Sequence, residues 1–352
     1  MNSLNQYGII IGVGKRPEDK APMSMTAVDG ENIATALKNR CGIPQEQIKL
    51  LLNGDASKEN IIQALDDVIA ATKQKKADTL WFYFSGHGFR DQIHGKILYY
   101  LVCNDTQNKN IWSESIPGTE LVEKLSQIQT DKMIILLDCC HSGGVGLGEA
   151  TNTPFDSKAL LKNGNRVILS ACHPQQVSFV SKPVSIFTYA LIEGLAGKYF
   201  LDEDKDVLIF DLAMYVREQV YPLSKQTQQP QLQALNNGFT GNFAVVHYEE
   251  GKPKDPSFAT AFKLYDESDK EINKDVAIER DKDYRKEFEW LQNNIQVGNI
   301  QAGGNVDIGD KNTTITQTHH GTGDNVAGNK TITTQNADKI YNIEKIEDAK
   351  FE

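Results

Sequence analysis

The chain is poor in the features that mark several protein classes. Its 352 residues include only five cysteines, Cys41, Cys103, Cys139, Cys140 and Cys172, an odd number at irregular spacing. Such a set is a poor basis for a disulfide framework and agrees with thiols kept reduced. No apolar run approaches the length of a membrane-spanning helix. The first residues, Met1-Asn-Ser-Leu-Asn-Gln6, have neither the basic start nor the apolar core of a secretory leader, so a cytoplasmic protein is expected. There is no basic excess. The net charge of −10 argues against a general nucleic-acid binder, whose affinity needs a positive face. Gly12-Val-Gly14 lacks the third, helix-opening glycine of a dinucleotide fingerprint. His319-His320 has no companion cysteine at ligand spacing, so no metal site is expected.

What is present centres on two apolar runs. Thr79 to Phe84 leads into Ser85-Gly-His-Gly88, and Met133 to Leu137 leads into Asp138-Cys-Cys-His-Ser-Gly-Gly144. A short apolar run that stops in small and polar residues reads as a buried strand ending at a site. In open α/β sheets such sites lie beyond the carboxyl ends of strands. One strand then supplies His87, and the other supplies Cys139 or Cys140.

The rest of the chain supports the same architecture. Strands are expected at Tyr7 to Gly14, Ile48 to Leu52, Ile97 to Val102, Arg166 to Ser170 and Phe243 to His247. Helical spacing covers Asp29 to Arg40, Ile61 to Ile69 after a cap at Asp55 or Ser57, Thr119 to Ile128, Ile186 to Leu195 and Phe210 to Val220. Alternation of strands and helices predicts an α/β fold with a mostly parallel central sheet covered on both faces. Gly143 to Asn165 reads as a long loop. Composition shifts after Tyr248, which divides the chain into a domain over 1–248, a charged linker with a short helix over 249–292, and a polar extension over 293–352. That extension repeats a Gly/Asn texture with single β-branched residues. It reads either as short stacked strands or as a disordered polar tail, with a docking or regulatory role.

A thiol becomes an effective nucleophile when an imidazole takes its proton or stabilises the thiolate. His87 precedes Cys140 by 53 residues. Backbone N–H groups near Gly88 and Cys140 are placed to hold a developing oxyanion. Asp138 lies two residues before Cys140, so on a strand the two side chains share a face. A carboxylate in a dry pocket needs a cation. Either an incoming Arg or Lys supplies it, or a basic residue of the chain does.

Ser85-Gly-His87-Gly88 together with Asp138-Cys-Cys140-His-Ser-Gly143 resembles the caspase-like cysteine peptidases, nearest the metacaspases and their bacterial relatives. The similarity continues through Ile168-Leu-Ser-Ala-Cys-His173 and Ser185-Ile-Phe-Thr-Tyr-Ala-Leu191, and covers about residues 1–248. The separation of His87 and Cys140 agrees with the roughly 50 residues seen in caspases. The resemblance implies a caspase-like sandwich with Cys140 as nucleophile and His87 as base, and leaves Cys139 to packing. It also implies a pocket for a basic residue lined by Asp29, Ser85 and Asp138. Caspases proper carry an Arg after the nucleophile and cut after Asp; here that position is His141. The expected activity is therefore an endopeptidase cutting protein substrates after Arg or Lys, in bacterial signalling, defence or programmed death. Many metacaspases bind calcium through two aspartates after an Ile-Pro pair, but Ile116-Pro117 is followed by Gly118 and Thr119. No cofactor is expected, calcium included. Lys158 and Lys162 are candidate self-cleavage sites. A scaffold or signalling protein whose tail docks a partner is the alternative.

Overall fold

The computed structural model describes residues 5–17, 25–93, 96–139, 160, 164–172, 181–198, 205–235, 242–248, 263–266 and 268–272, and the backbone of 314–319, 328–333 and 343–346. In chain order the elements are β1 (Gln6–Gly12), α1 (Met25–Arg40), β2 (Ile48–Leu52), α2 (Lys58–Gln74), β3 (Ala77–Gly86), β4 (Gly88–Ile93), β5 (Lys96–Leu101), α3 (Ile111–Glu114), β6 (Ile116–Pro117), α4 (Gly118–Gln127) and β7 (Thr130–Cys139). They continue with β8 (Asn165–Ser170), α5 (Ile186–Leu195), β9 (Asp206–Leu208), α6 (Ile209–Leu223), β10 (Gln231–Leu235) and β11 (Ala244–His247). In the C-terminal extension β12 (Thr314–His319), β13 (Gly328–Thr333) and β14 (Ile343–Ile346) form a three-stranded antiparallel sheet.

The central sheet runs β10-β8-β7-β3-β1-β2, parallel except for β10 at one edge. This is the mostly parallel, helix-covered sheet expected from the sequence. Two expected strands lie elsewhere. The one at Ile97 is β5, in a small antiparallel sheet with β4 and β6, and the one at Phe243 is β11, which pairs with β9. Both are short apolar runs, and pairing partner is not a property that such a run displays. The antiparallel edge β10 was not anticipated, because Gln231-Leu-Gln-Ala-Leu235 carries little β-branched character.

The central strands read as unbroken apolar runs because both faces are covered. Along β7, Ile134 and Leu136 join one buried cluster with residues of α1, α5 and α6. Met133, Ile135, Leu137 and Cys139 join the other, with residues of α2 and α4. α5 is buried on all sides, and its large apolar side chains contribute about 1.5–3 kcal/mol each. Its cap, in which Ser185 Oγ accepts the Thr188 N–H at 2.9 Å, is worth about 1 kcal/mol. Burial thus holds the helix in place, while the cap decides where it begins. α2 starts at the Ser57 cap, the second of the two positions the sequence offered.

Candidate active site

The register of the three central strands brings the site together. Gly12 of β1 pairs with Ser85 of β3, and Ser85 pairs with Asp138 of β7. These three residues form a row across the sheet near its carboxyl edge. One step further, Gly86 pairs with Cys139. His87 follows Gly86, half-buried, and its carbonyl accepts the Val102 N–H at 2.9 Å. Ladder bonds in an antiparallel pair alternate, so the Gly88 N–H, one residue on, turns away from β5. Phe89 stacks on Tyr100 with centroids 4.6 Å apart, which stiffens this hairpin next to His87. Cys140 lies outside the described residues, as do His141, Lys158 and Lys162. Cys139 is buried in the cluster with Leu137 and Phe84, on the face opposite Asp138.

Glycine at position 12 lets α1 press onto the end of β1. A Cβ there would fall 2.4 Å from the Thr26 carbonyl oxygen, and one at Gly30 would fall 2.8 Å from the Leu52 side chain and 3.7 Å from Gly12 Cα. With the helix this close, Asp29 reaches over the row. Its Oδ2 accepts from Ser85 Oγ at 3.0 Å, and its Oδ1 accepts from the Ser185 N–H at 2.8 Å. Asp138 completes the cluster from β7. Its Oδ2 accepts from Ser185 Oγ, and from Thr188 Oγ1 at 3.2 Å. The Tyr83 hydroxyl, two residues before Ser85 and so on the same strand face, lies 2.6 Å from Thr188 Oγ1.

Two carboxylates from distant parts of the chain therefore share one small, dry volume. Asp29 is 0 % and Asp138 is 4 % exposed, so Asp29 sits deeper. Burial pushes the Asp29 carboxyl well above the usual carboxylate range. The charge of Asp138 pushes the same way, and the Ser185 N–H and Ser85 hydroxyl pull against both. Burial, then the charges of Asp29 and Asp138, likewise push the Tyr83 phenol up, which keeps it a donor. A buried pair of this kind resists full ionisation until a cation joins it.

The three residues implied by the family resemblance as a pocket, Asp29, Ser85 and Asp138, are thus in one hydrogen-bonded group. Sequence reasoning missed Tyr83, Ser185 and Thr188 as members. The available signals were the period-two relation of Tyr83 to Ser85 and the capping serine ahead of the apolar run of α5. No helix among the described residues is long and apolar enough to cross a membrane.

A family model for the caspase domain, peptidase C14, matches residues 6–239. No curated protein matches the chain. Among solved structures, a Geobacter sulfurreducens protein aligns over 70 % of this chain and 100 % of its own, at 14 % identity and a TM-score of 0.49.

Proposed function

The chain belongs to the caspase-domain family of cysteine peptidases, and from that premise we propose that it is an endopeptidase cutting its protein substrates after Arg or Lys. The observation that carries this reading is the meeting of Asp29 and Asp138 in one buried cluster, hydrogen-bonded to Ser85 and Ser185. The cluster lies beside the paired ends of β3 and β7, from which the chain passes to His87 and to Cys140. A guanidinium or ammonium entering there neutralises the pair and lets both carboxylates ionise. An acidic side chain would bring more negative charge to a cluster that already resists full ionisation, which disfavours cleavage after Asp.

In the reaction, the Cys140 Sγ attacks the carbonyl carbon of the basic residue and its proton passes to His87. The N–H groups of Gly88 and Cys140 hold the tetrahedral oxyanion. Collapse breaks the C–N bond, and His87 returns the proton to the leaving amine. Water then cleaves the thioester, with His87 accepting the water's proton and returning it to the thiol. The reading includes no calcium requirement.

Cys140→Ala and His87→Ala are the direct test. Each should reduce hydrolysis of an Arg peptide to the uncatalysed background while the thermal midpoint stays near that of the wild type. A folded Cys140→Ala variant that still cleaves would exclude this nucleophile.

A further inference from the structure

Resting on the basic-residue reading above, we propose that Thr188 is a positioning residue that sets the preference for a charged over a neutral side chain, by holding Asp138 through a relay that begins at Tyr83. Thr188 lies in the first turn of α5 and is 0 % exposed. Its hydroxyl donates to Asp138 Oδ2 at 3.2 Å. A hydroxyl has a single proton to give, so in the 2.6 Å contact with Tyr83 the phenol donates and Thr188 accepts. The donors then run in one direction, from Tyr83 of β3 to Thr188 of α5 to Asp138 of β7. Ser185 Oγ donates to the same Oδ2 and accepts the Thr188 N–H at 2.9 Å. Two hydroxyls from one helix end therefore grip one oxygen and fix the plane of the carboxylate.

This arrangement does more than cap a helix. Ser185 alone caps α5; the Thr188 hydroxyl adds nothing to that cap and is instead directed into the carboxylate cluster. Asp138 and Ser185, at 4 % and 6 % exposed, are buried beside Asp29 at 0 %, so a cation that enters meets carboxylates already held by their donors. In a dry site, a carboxylate oriented before the cation arrives costs no reorganisation at binding. A neutral side chain of the same shape has little use for that orientation. The Thr188 hydroxyl should therefore matter for charge and much less for shape.

The test compares two peptides that differ only in Arg or citrulline before the scissile bond, since citrulline keeps the length and planar end of Arg without its charge. With the full chain, Thr188→Val should lower the Arg-to-citrulline ratio in kcat/KM about tenfold or more, the loss appearing in KM. Thr188→Ser, which keeps the hydroxyl, should restore most of the ratio. Tyr83→Phe, which removes the head of the relay, should lower it in the same direction by a smaller factor. Equal proportional losses on both peptides in Thr188→Val would reduce Thr188 to a packing role and overturn the proposal. So would an unchanged ratio in a folded Tyr83→Phe, which decides the matter alone if Thr188→Val does not fold. A wild type that shows no preference for Arg over citrulline overturns the basic-residue reading itself, and this proposal with it. A wild-type preference that survives all three variants overturns this proposal only.

Discussion

Among single side chains, Asp29 is the one whose proton should be felt by the whole fold. Its carboxyl is raised in the folded protein from a usual value of 3.8, chiefly by burial and then by Asp138. The native state therefore holds a proton that the unfolded chain has already lost once the pH exceeds that value. Stability falls as pH rises from 3.8 through the folded value, and the loss is complete above it. Asp29→Asn removes this penalty, since the amide oxygen still accepts the Ser185 N–H. Urea unfolding over a pH series should show Asp29→Asn gaining on the wild type as pH rises, together with weaker cleavage after Arg. Parallel stability curves would mean that Asp29 does not carry the strain. Among the described residues, the titratable groups that act on this carboxyl or feel it are Asp138 from β7 and Tyr83 from β3, while Ser185 and Thr188 at the start of α5 bring hydroxyls. At this scale Ser85 and Asp138 were legible because they sit in short motifs, while Asp29 came only through the family resemblance. Ser185 lies 156 residues from Asp29, and no local pattern announces that meeting.

Among the elements, α1 and β1 decide whether the cluster exists. Asp29 reaches Ser85 because Gly12 lets the helix lie on the strand end, with a would-be Cβ only 2.4 Å from the Thr26 carbonyl oxygen. Backbone at that distance has no easy retreat, so Gly12→Ala should cost about 1–3 kcal/mol and also weaken the preference for Arg as Asp29 is lifted away. Gly42→Ala is the contrast. That glycine has φ +70° and nothing within 4 Å of a new Cβ, so the cost should be about 1–2 kcal/mol of backbone strain with specificity untouched. Chemical denaturation and peptide hydrolysis on the two variants check both halves. A Gly12→Ala protein with wild-type specificity would detach α1 packing from the site. The elements themselves were largely readable: β2 and α5 have the bounds that apolar pattern gave them, and β3 and β7 extend a few residues beyond theirs. Their ends run on because the ladder does not stop at the apolar residues; it continues through Ser85 and Asp138. The destinations of β5 and β11 were not readable, since an apolar run specifies burial and leaves the choice of neighbour to the assembled sheet.

For the whole molecule, charge and site point the same way. Under the proposed function, a net charge of −10 would favour the approach of cationic peptides, and the two buried carboxylates would discriminate at contact. The caspase-domain match spans residues 6–239, and the described sheet of β12, β13 and β14 lies beyond it. Specificity is where the molecule as a whole can be questioned most simply. A fluorogenic peptide panel that varies only the residue before the scissile bond, run on the full chain with calcium and with chelator, tests the central claim directly. Arg and Lys peptides should be cleaved at least tenfold faster than citrulline and Asp peptides, at the same rate in both buffers. Equal turnover across the panel, or a preference for Asp, would contradict the role assigned to Asp29 and Asp138.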